Sequence, residues 1–240
     1  MQGDHSSKQY DLDLEAIRSR VLLMGGLVES QINDAIHAFR VGNLALADAA
    51  IKADENVNQL EVTLDDACSH LIVKRQPAAN DLRTVMATLK IITYLERVGD
   101  EATKVARTAI RLHKRGAVGV LDHYESVRVM GGGASEMLHE ALDAFACLDH
   151  KQAVRIISQD EVVNYEFRTA MRTMITFMME DPRTISTALD VLWVAKALER
   201  IGDHAKSIAE YVIFIVEGKD IRHTDHLPPP APDAVHEDGH

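Results

Sequence analysis

The chain has 240 residues, 46% of them hydrophobic and only 5% aromatic, so its length admits one domain or two small ones and its apolar content suffices for a sizeable core. With 26 Lys and Arg against 37 Asp and Glu, the formal charge is -11, which repels phosphate backbones and anionic lipid headgroups and argues against direct nucleic-acid binding. The only cysteines, Cys68 and Cys147, lie in helix-like stretches without a CxxC or Cys/His grouping and read as small core residues in a reducing compartment.

Met1 to Tyr10 is polar and lacks a basic-then-apolar leader layout. The longest apolar run, Tyr211 to Val216, falls far short of the roughly 20 residues a membrane span needs. A soluble, cytoplasmic protein is therefore expected. Apolar spacings of three and four residues predict an all-α fold with helices over 10–41, 44–76, 79–115, 122–147, 150–180 and 184–217. The breaks fall at Gly42-Asn43, Pro77, Gly116 to Gly119, Leu148-Asp149 and Asp181-Pro182.

The second half repeats the first. Met24-Gly25-Gly26 recurs as Met130-Gly131-Gly132, Ala35 and Phe39 as Ala141 and Phe145, and Asp54-Glu55 as Asp160-Glu161, all at an offset of 106 residues. Leu95-Glu96-Arg97-Val98-Gly99-Asp100 recurs as Leu198-Glu199-Arg200-Ile201-Gly202-Asp203 at an offset of 103, a slip that a loop between the second and third helices absorbs. An internal duplication giving tandem three-helix bundles follows, over 1–116 and 120–217. Glycines inside a helix cost about 1 kcal/mol each relative to Ala, so Gly25, Gly26 and Gly131 to Gly133 predict close approach of a neighbouring helix. From 218 to 240 the chain becomes Pro- and His-rich and is expected to be a disordered tail, whose His223, His226, His236 and His240 offer at most weak metal binding.

The chemistry-bearing residues are acidic. On the third helix of each repeat, Glu96 and Asp100, and again Glu199 and Asp203, share a face and continue an apolar stripe made by Val85, Leu89 and Ile92 or by Ala188, Leu192 and Ala195. Like charges four residues apart repel, and desolvation adds to the cost, so something cationic should compensate. On the second helix, Asp54, Asn58 and Glu61 share a face; Asp160 and Asn164 match the first two, while Phe167 stands where Glu61 does. If the second and third helices pack antiparallel, each repeat gathers hard oxygen donors suited to Mg, Mn, Ca or Fe. The alternative is a set of ion pairs, with Lys104 on Asp100, Arg107 near Glu96 and Lys206 on Asp203.

These residues resemble the paired E-x-x-x-D motifs of the PhoU family. Lys74-Arg75-Gln76-Pro77 with Asp81-Leu82-Arg83, Met178-Met179-Glu180-Asp181 and Arg183-Thr184-Ile185 match further family features, and the similarity spans roughly residues 10 to 223. The resemblance implies two three-helix bundles related by a pseudo-twofold, a homodimer, and metal sites at Glu96, Asp100, Glu199 and Asp203, with Asp54, Asn58, Asp160 and Asn164 opposite. Asn58 and Asn164 each remove a charge where other members often carry Asp, so a weakly held divalent or trivalent metal is expected. It further implies a negative regulator of the phosphate-starvation response, linking the phosphate ABC transporter PstSCAB, through its ATPase PstB, to the sensor kinase PhoR.

Two other classes compete. A di-metal carboxylate enzyme of the ferritin-like kind needs two Glu-x-x-His pairs, and the chain has one, Glu136 to His139, without a counterpart in the first repeat. No nucleophile elbow, kinase motif, phosphate loop or HExxH is present, so no enzymatic activity is expected. A purely structural helical protein is the third class, against which only the family motifs argue.

Overall fold

The computed structural model describes residues 2–117 and 125–222, with side chains from Lys8 onward. The described residues form six long helices and no strand: α1 (Gln2–Val41), α2 (Leu44–Arg75), α3 (Ala79–Lys114), α4 (Glu125–Cys147), α5 (His150–Glu180) and α6 (Ile185–Glu217). A 3-10 turn, Pro182–Thr184, precedes α6. None of these helices is long and apolar enough to cross a membrane.

The breaks have local causes. Gly42 takes φ 70 and ends α1, after which the Asn43 carboxamide oxygen accepts from the Ala45 and Leu46 amides and starts α2. Leu148 adopts φ 51, and the following Asp149 caps α5 by accepting from the Gln152 amide at 3.0 Å. At Asp181 the carboxylate accepts from the Arg183 amide, and Pro182 opens the 3-10 turn. The first helix begins at Gln2, well before the expected residue 10. Tyr10 is the first core residue among the described side chains, and no proline stops the helix upstream of it.

Helices α1, α2 and α3 pack on one another as one bundle and α4, α5 and α6 as a second; α3 against α6, and more lightly α1 against α4, join the two. The core is aliphatic, built from Met24, Ile32, Leu64, Ile91 and Leu95 in one bundle and Met130, Leu138, Ile156, Met174 and Leu198 in the other. At the α1–α4 crossing the duplication becomes reciprocal. A Cβ on Gly25 would lie 2.5 Å from a Leu142 methyl, and one on Gly131 would lie 3.3 Å from Ile36. Leu142 and Ile36 are themselves repeat equivalents, so the two contacts exchange under the pseudo-twofold. Gly133 also faces a close neighbour, Val163 at 3.4 Å, whereas Gly26 and Gly132 have nothing within 4 Å, so close packing does not explain these two.

Of the tail expected from residue 218, residues 218–222 are described and lie against α6. Ile221 packs on the core, and the Arg222 guanidinium stands 4.6 Å over the Tyr211 ring. His223, His226, His236 and His240, with the rest of the tail, lie outside the described residues, as does Gly119. Cys68 is buried, and burial pushes its thiol up to about 11. Cys147, expected in the core, is exposed instead, because it ends α4 two residues past Phe145, the last core residue of that helix.

Candidate acidic sites on the two bundles

In the first repeat the site is organised by a residue that spacing on α2 and α3 does not reveal. Gln31, buried in α1, donates from its amide nitrogen to Thr103 Oγ1 at 3.0 Å, the Gly99 carbonyl at 3.1 Å and Asp54 Oδ1 at 3.3 Å. Gly99 leaves room for this contact, since a Cβ would sit 3.0 Å from Gln31 Oε1. Asn58 stands 3.5 Å from the other Asp54 oxygen. Glu96 is half-buried and Asp100 exposed, so the inward stripe turns away from them toward Leu95, Val98, Gly99 and Ala102.

The remaining carboxylates share one field. Burial, and then the charges of Asp100, Glu61 and Asp54, push the Glu96 carboxyl up, opposed only by Arg97. Burial pushes Glu61 up as well, followed by Asp65 and Asp100, again against Arg97. Among the described residues none of Asp54, Glu61, Glu96 and Asp100 makes an ion pair. Lys104, expected on Asp100, instead bonds Glu101 at 2.8 Å.

The second repeat solves the same crowding differently. Asp160 is 4% exposed; its Oδ2 accepts from Asn164 at 3.0 Å and from Lys206 at 3.2 Å, while its buried Oδ1 has no hydrogen-bond partner. Lys206 thus reaches across to α5 and is not the partner of Asp203, to which spacing had assigned it. Lys196 pairs with Glu199 and lies 5.3 Å from the centre of the Phe167 ring. Burial, followed by Glu199 and Asp160, raises Asp203 to about 6, with Lys196 and Lys206 acting in the other direction. At equivalent positions, Gln31 has become Met137, Glu61 Phe167, Thr93 Lys196 and Thr103 Lys206. The first cluster holds four carboxylates with no ion-paired cation among the described residues, Arg97 acting on it only through its field, and the second holds three carboxylates and two lysines.

Among the described residues, no three His, Cys, Asp or Glu groups converge as a preformed metal cage. The first cluster fits a cation by its chemistry, since its hard oxygens make no ion pair among the described residues and burial and neighbouring carboxylates push Glu61 and Glu96 up against Arg97 alone. The second carries its counter-charge already. The structure also assigns residues that the sequence did not single out. Glu101, 5% exposed, ties the bundles by accepting from Arg200 at 3.1 Å, and Asp190, 7% exposed, takes Arg111 and Arg115 across the α3–α6 contact. His139, the histidine of the Glu136 pair, bonds Glu29 on α1 at 2.8 Å, which raises its basicity and uses it as a bridge between bundles.

Comparison with known proteins agrees with this architecture. A model described as the PhoU domain matches twice, over residues 21–109 and 127–212. A phosphate-specific transport system accessory protein PhoU homolog of Pseudomonas aeruginosa is 46% identical over 219 residues, 91% of this chain and 90% of its own. Its Escherichia coli K12 counterpart, named phosphate-specific transport system accessory protein PhoU, is 44% identical over the same share of this chain and 90% of its own. The crystal structure of PhoU from Pseudomonas aeruginosa superposes with a TM-score of 0.83 at 44% identity, over 88% of this chain and 100% of that one. That of the phosphate transport system regulatory protein PhoU from Streptococcus pneumoniae gives 0.80 at 25% identity, over 88% and 98%. A duplicated three-helix frame, the same domain found in both halves and relatives that align over nine-tenths of the sequence place this chain in the PhoU family.

Proposed function

We propose that this protein serves a phosphate-specific transport system as an accessory regulator. When phosphate is abundant it represses the phosphate-starvation response, acting in the cytoplasm as a homodimeric adaptor between the transporter ATPase PstB and the sensor kinase PhoR. It carries out no chemical step of its own. The observation that carries this reading is the near full-length similarity to proteins named as accessory components of phosphate transport. The charge of -11 favours partners with basic surfaces, and regulation without chemistry works by binding that shifts which partner state is populated.

A divalent cation completes the first acidic cluster, held by Glu96, Asp100 and Asp54 with Asn58 and Glu61 beside them. Bound there, it supplies the contact counter-charge that Arg97 does not and fixes α2 against α3. In the second cluster, Glu199, Asp203, Asp160 and Asn164 keep their lysines and take a cation only weakly. The regulatory reading is tested by a reporter for phosphate-starvation genes in a deletion strain grown with abundant phosphate. Derepression that this chain reverses is expected. Repression that persists without it would remove the assignment.

A further inference from the structure

On a chain of formal charge -11, the groove between α3 and α6 has the opposite sign. Its volume of about 410 Å³ lies in the range of ligand clefts, and Lys104, Arg107, Arg111, Lys196 and Arg200 line it together with Trp193. The nearby acids do not balance them. Glu101 is shared by Lys104 and Arg200, Glu199 takes Lys196, and Asp190 takes Arg111 and Arg115. Six cations thus meet three carboxylates, and Arg107 makes no ion pair among the described residues.

Trp193 is the only tryptophan of the chain and is 66% exposed, although an indole is among the side chains that gain most from burial. It precedes Lys196 by three residues and Arg200 by seven on α6, so the ring and both cations follow one stripe of the helix. A planar apolar surface beside forked guanidinium donors suits a ligand with a flat ring at one end and phosphate oxygens at the other.

We propose that this groove binds a nucleotide, with the base stacked on Trp193 and the phosphates held among Arg107, Arg111 and Lys104. Inorganic phosphate alone would leave the indole and most of the volume unused. The groove shares Lys196 with the second acidic cluster but lies apart from the first, and the proposal does not rest on the regulatory reading.

Because Trp193 is the sole indole, its emission reports on this groove alone. The purified full chain, free of divalent metal, is titrated with ADP, ATP, pyrophosphate and inorganic phosphate. Saturable quenching by ADP and ATP is expected, weakening as salt rises, with inorganic phosphate at least roughly tenfold weaker. Arg107→Glu should weaken ADP binding by roughly tenfold or more without lowering the melting temperature, since it removes a charge-assisted donor that holds no internal partner. Trp193→Ala, read by calorimetry, should weaken ADP by roughly tenfold and leave pyrophosphate binding nearly unchanged. The proposal fails if no nucleotide gives a saturable response. It fails equally if ADP binding survives both substitutions intact, or if inorganic phosphate binds as tightly as ADP.

Discussion

Asp203 shows what the second cluster costs the fold. Its carboxyl is raised from an ordinary value of 3.8 to about 6, first by burial and then by Glu199 and Asp160. A carboxyl raised in the folded state contributes stability that is fully present below the unfolded pKa and is lost as pH rises through the folded one. Ionising Asp203 between about pH 4 and pH 6 should therefore cost stability. Discounted for partial solvent screening, the cost at neutral pH is about 1 to 2 kcal/mol. Denaturant unfolding of Asp203→Asn should show a variant more stable than wild type at pH 7, with the advantage vanishing toward pH 4. A less stable variant at pH 7 would mean that the lysines stabilise the carboxylate more than burial and its acidic neighbours penalise it. The acids themselves were legible in the sequence because they recur at a fixed offset. Their partners were not, because Lys206 meets Asp160 across two helices and Gln31 enters from a third. The signal was present as exchanges between the repeats: Gln31 for Met137, Thr103 for Lys206, Thr93 for Lys196 and Glu61 for Phe167. Only the packing shows that these four positions surround one spot.

At the scale of the helix, number and order followed from periodicity and duplication, and the boundaries followed from caps and breakers. The extra turns of α1 did not, since the sequence before Tyr10 carries no apolar repeat to signal a helix. The glycine pairs separate two causes that the sequence merges. Gly25→Ala pushes a methyl into Leu142 and should destabilise by about 1 to 2 kcal/mol even after the gain in helix propensity. Gly26→Ala meets nothing within 4 Å and should stabilise by up to about 1 kcal/mol. Thermal melts of the two variants check this, and equal shifts would place the α1–α4 contact elsewhere. The clusters differ in the same testable way. Added Mn should raise the melting temperature of wild type by mass action. The shift should be lost in Glu96→Ala/Asp100→Ala and retained in Glu199→Ala/Asp203→Ala. Equal loss in both double variants would mean that the lysines do not substitute for a cation.

For the whole molecule, the ties between bundles matter most. Glu101 with Arg200 and Asp190 with Arg111 and Arg115 lock α3 to α6, so the two halves present a fixed pair of acidic faces to a partner. Under the proposed function, a rigid body of this kind regulates by what it touches. The most direct measurement is the binding of the purified chain to PstB and to the cytoplasmic part of PhoR, each followed at low and at high salt. Association with both is expected, weakening as salt screens exposed charges beyond about 10 Å at 0.1 M. No binding to either partner at low salt would contradict the adaptor account.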